Sequence, residues 1–131
     1  MRRNLSIATI ITVLVLSIAC TKSVVAPVPG SANQFDSDTY LTLVTAKAAI
    51  DAAKTALAQN PPVFTPTLAA IVKSAVNNAV TAYNVADTTY QAYHAAAIAG
   101  TATAAQQADV SAKISTMNTA VSQITANHGG N

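Results

Sequence analysis

Apolar side chains recur at alternating intervals of four and three residues through the second half of the chain. One stripe consists of Val72, Val76, Ala79, Tyr83, Ala86, Tyr90, Tyr93 and Ala97; another consists of Val110, Ile114, Met117, Val121 and Ile124. A sparser stripe, with Leu43, Ile50 and Leu57 at intervals of seven, precedes both. This spacing places the side chains on one face of an α-helix and suits packing at shallow angles. The pattern predicts three amphipathic helices.

The predicted helices cover about residues 37–59, 66–99 and 103–127. The first has Asp36, Ser37 or Asp38 as its N-cap. The second opens with Thr65 before a proline and ends at Gly100, which are typical start and stop signals. Short connections force neighbouring helices to run antiparallel. Although threonine-rich segments could favour strands, the helical period and the alanine content predict an all-α fold, an alanine-rich, antiparallel, up-down-up three-helix bundle.

The first twenty residues have the composition of a secretion signal. Arg2 and Arg3 give a basic start, and the stretch from Leu5 to Ala19 is uncharged and mostly apolar. It ends directly before Cys20, which is the only cysteine of the chain. A lone cysteine in an exported protein has no disulfide partner, so its presence at this position calls for another explanation.

The segment Leu16-Ser17-Ile18-Ala19-Cys20 resembles the lipobox of bacterial lipoproteins, with Ser17 where that family usually has leucine. The resemblance implies that residues 1–19 are a signal peptide that is removed, and that Cys20 carries a covalent diacylglycerol together with an amine-linked acyl chain such as palmitate. It also implies a lipid-anchored protein of the bacterial cell envelope, at the outer membrane or in the periplasm if the host is Gram-negative. The lipid is then the membrane partner, and no other cofactor is expected.

Two other interpretations of this segment stay open. The first is an uncleaved membrane anchor, although the 15 residues from Leu5 to Ala19 fall short of the roughly 20 that a membrane-spanning helix needs. The second is an ordinary signal peptide cleaved near Ala19 or Ala26, which would leave Cys20 incidental.

Residues 20–36 are predicted to be the lipidated cysteine and a flexible tether, because prolines and Gly30 interrupt any helical or strand pattern there. The 16 residues after Cys20 could reach roughly 55 Å when fully extended. Residues 37–131 would form the bundle.

The charges after the signal-like segment balance. Of the seven basic residues, two are the arginines near the N-terminus, so five lysines remain against five aspartates. A neutral surface argues against nucleic acid as a partner and against a polybasic membrane patch.

The strongest candidate for a partner-binding site is the group Tyr83, Tyr90, Tyr93 and His94. The three tyrosines share one helix face, and Asp87 lies on the side of His94, which suggests a weak Asp–His pair. The alternative interpretation is that the tyrosines fill gaps between alanines and keep their hydroxyls at the rim of the bundle.

The predicted second helix is longer than the first, so the first helix cannot cover Tyr93. Phe35 and Tyr40 would have to fold over it; otherwise an aromatic tip stays exposed at the membrane-proximal end. Such an exposed apolar patch would indicate a partner.

The sequence carries no arrangement typical of catalysis. There is no nucleophile-elbow pattern, no glutamate and no glycine-rich phosphate loop. His94 and His128 are 34 residues apart, which does not favour a metal site.

The predicted function is therefore a lipid-anchored, non-enzymatic helical module that binds an envelope protein or self-associates. Two alternatives stay open. One is a small-ligand carrier that binds between helices near Tyr83 to His94, and the other is an envelope protein of a phage or mobile element.

Overall fold

The computed structural model of the chain describes residues 27–60 and 62–127. It contains three α-helices: α1 (Gln34–Leu57), α2 (Pro66–Ile98) and α3 (Ala104–Ala126). Each helix contacts the other two, and no strand occurs in the described part of the chain. The expected all-α three-helix bundle is confirmed. The predictions for Cys20, the signal peptide and His128 fall on residues outside the described ranges.

Contacts at both ends of α1 show that it runs antiparallel to α2. At the start of α1, the Phe35 ring packs edge-on against the ring of Tyr93 near the end of α2. At the other end, Leu57 lines a groove together with Ala69 and Lys73 from the first turns of α2. The short turn after α2 then returns the chain into α3.

The predicted stripes form the core. Met117, Val72, Val110, Val121 and Ile124 are the largest apolar side chains that are fully buried. Four stripe positions are only partly buried, namely Leu57, Tyr83, Ala97 and Ile114. Four of the six buried apolar side chains of α1 are alanines, namely Ala46, Ala49, Ala53 and Ala56. The core is therefore thin, because each alanine removes little apolar area from water.

Helix α1 begins three residues earlier than the sequence predicted, at Gln34 instead of residue 37. Its N-cap is Asn33, whose side-chain oxygen accepts a hydrogen bond from the backbone N–H of Asp36 at 2.9 Å. The three expected caps, Asp36 to Asp38, lie inside the first two turns, because Asn33 already satisfies the free amide there.

Part of the expected flexible tether is folded against the bundle. We call residues 28–33 the N-terminal strap. Val28 donates its N–H to the hydroxyl of Ser37 at 2.9 Å, and Ser31 donates its N–H to the carbonyl of Val28 at 3.0 Å. Gly30 forms the turn between them with a φ of 91°, which favours glycine. The prediction that the tether extends to residue 36 is wrong, because backbone groups of the strap bind side chains of α1.

The turn between α2 and α3 satisfies its own backbone groups. Gly100, with a φ of 71°, ends α2; its N–H donates to the carbonyl of Ala97, and the N–H of Thr101 donates to the carbonyl of Ala96. This is the Schellman arrangement. Thr103 then caps α3 in a reciprocal capping box with Gln106.

Among the described helices, none has the length and apolar character needed to cross a membrane.

Candidate functional site

The most polar buried group of the bundle is the carboxylate of Asp36, which is fully buried in the first turn of α1. Asn33 caps that turn three residues earlier, and this places the Asp36 side chain against the strap and α2. The N-terminus of a helix favours a negative charge, which helps α1 to tolerate a carboxylate at this position. A charge without access to water also needs hydrogen-bond donors around it.

Three donors surround the Asp36 carboxylate. The backbone N–H of Ala32 donates at 2.8 Å, and Nδ1 of His94 donates at 2.8 Å to Oδ2 and lies 3.0 Å from Oδ1. The hydroxyl of Tyr90 is the third donor group beside this carboxylate, which raises the pKa of Tyr90. We call Asp36, His94, Tyr90 and the Ala32 amide the clasp, because they join the strap, α1 and α2 at one point.

The side chain of His94 is one-third exposed, whereas that of Asp36 is fully enclosed. The imidazole therefore closes the solvent side of the clasp. Its Nδ1–H can donate to the carboxylate in the neutral and the protonated ring alike, so the contact does not depend on a positive charge. His94 also packs beside the Tyr90 ring, with centroids 5.7 Å apart.

Tyr93 is held by a second set of contacts beside the clasp. The side-chain nitrogen of Asn33 donates to the Tyr93 hydroxyl at 3.1 Å, and the Phe35 ring meets the Tyr93 ring edge-on at 5.1 Å. Only 3% of Tyr93 remains exposed. Of the two outcomes left open for this end of the bundle, the structure shows the covered one: α1 starts earlier than predicted, and Phe35 packs over Tyr93.

The surroundings of two tyrosines, Tyr90 and Tyr83, raise the pKa of their hydroxyls. Burial, followed by the negative charge of Asp36 and the hydrogen bond to it, raises the pKa of Tyr90 far above its usual range. Burial and then the charge of Asp87 raise the pKa of Tyr83. Both effects favour the neutral phenol, so Tyr90 acts in the clasp as a hydrogen-bond donor.

The structure does not unite the four predicted site residues in one accessible patch. Tyr90 and Tyr93 are buried, and His94 pairs with Asp36. The expected Asp87–His94 pair is wrong; Asp87 accepts a hydrogen bond from Gln91 instead. Tyr83 lies apart, in a groove between α1 and α2 lined also by Tyr40, Val44 and Lys47.

Three clasp members, Asp36, Tyr90 and His94, stand out in the sequence, but nothing there connects Asp36 to the other two. The sequence suggests Asp36 only as a helix cap, whereas in the structure Asn33 is the cap and accepts a hydrogen bond from the Asp36 amide. The 58-residue separation between Asp36 and His94 has no local periodicity that could reveal the contact.

Two hollows lie beside these residues. One, of about 300 Å³, is bounded by the strap and by Tyr40, Tyr90 and His94. The other is an open groove of about 570 Å³ between α1 and α3, lined largely by threonine and serine side chains. Asn118 lines this groove, and its side-chain oxygen is buried without a hydrogen-bond partner among the described residues.

Within residues 27–60 and 62–127, no three side chains of His, Cys, Asp or Glu converge in a way that could hold a metal ion.

Comparisons with protein-family models, with characterised proteins and with solved structures find no match to the chain.

Proposed function

We propose that the protein is a lipid-anchored, non-enzymatic helical lipoprotein of the bacterial cell envelope. The observation that carries this proposal is the position of Cys20, the only cysteine, directly after an uncharged stretch that ends in Leu16-Ser17-Ile18-Ala19. Acyl chains on that sulfur and on the freed amine would hold the protein stably, since each buried methylene contributes about 0.8 kcal/mol.

The chemistry of the clasp supports a structural role over a catalytic one. The Asp36 carboxylate is fully buried and is shared between two donors, the Ala32 amide of the strap and His94. A general base needs to reach a substrate proton, and this carboxylate is instead occupied in joining parts of the fold. The clasp therefore stabilises the bundle.

One group of exposed apolar side chains lies on α1. Tyr40, Leu41 and Val44 are 44%, 39% and 47% exposed, and they lie within about one turn of each other. Exposed apolar side chains in a group are typical of contacts with another protein. The module would act by binding an envelope protein or another copy of itself.

The test of anchoring is the mass of the mature N-terminus. The full chain and a Cys20→Ser variant are produced in a bacterial host that is fed an alkyne-bearing fatty acid, and Ser23→Ala serves as the control outside the lipobox-like segment. We expect acyl label and a diacylglyceryl Cys20 in the parent and in Ser23→Ala, and none in Cys20→Ser. A bare thiol, or residues 1–19 still attached, contradicts the proposal.

A second candidate function is the transport of a small polar ligand, favoured by the unpaired side-chain oxygen of Asn118 in the groove between α1 and α3. This location differs from the predicted region near Tyr83 to His94. Thermal shift with small amides and polyols tests it. A ligand that raises the melting temperature should lose its effect in Asn118→Leu and keep it in Asn78→Leu, which alters an exposed asparagine of α2.

A further inference from the structure

The end of the bundle formed by the turn between α2 and α3 is uncharged and exposed. No charged side chain occurs from residue 95 to residue 108. Ile98, at the end of α2, is 60% exposed, more than any other large apolar side chain in the described part of the chain. We call residues 98–105 the apolar turn; its sequence is Ile-Ala-Gly-Thr-Ala-Thr-Ala-Ala.

The backbone of the apolar turn is prepared for a medium with little water. The N–H groups of Gly100 and Thr101 donate to carbonyls of α2, and the N–H of Thr103 donates to the side chain of Gln106 at 2.8 Å. The Thr103 hydroxyl accepts from the N–H of Gln106 at 3.2 Å. Unpaired amides are a main cost of moving a loop out of water, and three amides of this turn and that of the neighbouring Gln106 are already paired.

The strap fixes where the chain enters the bundle. Val28 binds Ser37 in α1 and, with the rest of the strap, borders the hollow that Tyr90 and His94 also line. Tyr90 is eight residues before Ile98, or about 12 Å along the helix axis. Pro66, at the opposite end of α2, is about 36 Å from Tyr90 on the same scale.

The length of chain before the strap decides which end of the bundle can approach the anchor. Six residues lie between Cys20 and Pro27, and the seven steps along the chain from one to the other span at most about 25 Å when fully extended. That distance exceeds the 12 Å to the level of Ile98 but falls short of the 36 Å to the level of Pro66. A lipid on Cys20 can therefore bring the apolar turn to the membrane surface, whereas the opposite end cannot reach it with the bundle upright.

We propose that the apolar turn rests in the headgroup region of the membrane that carries the Cys20 lipid, as a second, non-covalent contact. This inference rests on the proposed lipid anchoring. Because the anchor holds the turn at a high effective concentration near the lipid, a contact made by one isoleucine and a few alanines and threonines is sufficient to orient the bundle.

The test uses the acylated full chain in vesicles of phosphatidylethanolamine and phosphatidylglycerol that also contain a phospholipid with a quencher high on its acyl chain. Acylation blocks the sulfur of Cys20, so a polarity-sensitive fluorophore can be placed on a single new thiol at Ala102→Cys. The matched control is Val63→Cys, which lies in the exposed connection at the opposite end. Circular dichroism confirms that each variant is folded.

We expect about twofold or stronger quenching at Ala102→Cys relative to Val63→Cys, and a loss of that difference when Ile98→Asp is added. Equal quenching at both positions, in a chain that floats with the vesicles and has an acylated Cys20, overturns this inference and leaves the anchoring proposal standing. A chain that does not float and has an unmodified Cys20 overturns both.

Discussion

His94 donates its Nδ1 hydrogen to the carboxylate of Asp36, with Nδ1–oxygen distances of 2.8 and 3.0 Å, and so joins the first turn of α1 to the last turns of α2. The two residues are 58 positions apart in the chain. Asp36 also receives the amide of Ala32, which extends the link to the N-terminal strap. Because four of the six buried apolar side chains of α1 are alanines, which offer little shape for packing, this polar contact helps to fix the position of α1 along α2.

Removal of the Asp36 carboxylate should be among the most costly changes at the clasp. Asp36→Ala leaves the donors of His94, Tyr90 and Ala32 without their shared acceptor, and we expect it to lower the free energy of unfolding by about 2–4 kcal/mol. Asp38→Ala is the control, because Asp38 is exposed and should change stability by less than about 0.5 kcal/mol. Urea denaturation followed by circular dichroism measures both. Equal effects of the two variants would contradict the assigned role of Asp36.

The pairing of His94 with Asp36 can be measured separately by a double-mutant cycle. We expect Asp36→Asn and His94→Gln, alone and together, to give a coupling energy of about 1 kcal/mol or more, because the two side chains are in direct contact. A parallel cycle with Asp87→Asn in place of Asp36→Asn should give a coupling near zero, since Asp87 contacts Gln91 instead. Stronger coupling to Asp87 would restore the pair that the sequence suggested.

Alkaline conditions should destabilise the fold through Tyr90. Its raised pKa means that the folded protein retains the phenolic proton more firmly than the unfolded chain does. The stabilisation is therefore complete below the ordinary tyrosine pKa of about 10 and is lost as the pH rises above it. We expect the melting temperature to fall as the pH rises above about 10, and expect Tyr90→Phe to reduce that fall. Tyr40→Phe, at an exposed position, serves as the control.

The end of α2 depends on the backbone freedom of Gly100. Its φ of 71° is unfavourable for residues with a Cβ, while nothing lies within 4 Å of a Cβ placed there. We therefore expect Gly100→Ala to cost about 1 kcal/mol through backbone strain alone. Gly100→Asn should cost less, because asparagine tolerates this conformation better. Thermal unfolding of the two variants checks the order, and a larger loss in the asparagine variant would contradict it.

The core prediction can be tested at Met117, which is fully buried on α3. Met117→Ala removes apolar contacts and leaves a cavity, so we expect a loss of about 2–5 kcal/mol in the free energy of unfolding. Val85→Ala, at a position on α2 that is 47% exposed, should change it by less than about 0.5 kcal/mol. Urea titrations provide the measurement, and comparable losses would show that α3 packs through another face.

The bundle was predictable from the sequence because its cause is local. The spacing of Val110, Met117 and Val121 indicates a buried helix face without knowledge of any partner, and all three are buried. The clasp was not predictable in the same way. It depends on the register between α1 and α2, and that register follows from Asn33 starting α1 three residues before the expected position. Nearby Asp87 suited the local spacing, so His94 was assigned to it instead of to Asp36.

The strap also determines how mechanical load would enter the domain. A pull on the chain at Pro27 meets the Val28–Ser37 hydrogen bond and the Ala32–Asp36 hydrogen bond before it reaches the backbone of the first turn of α1. At Asp36 the force is carried both by the backbone of α1 and, through the hydrogen bond with His94, by α2. If α1 is to unwind from its first residue under such a pull, the Asp36–His94 contact with α2 must break first. The two helices therefore resist the force together.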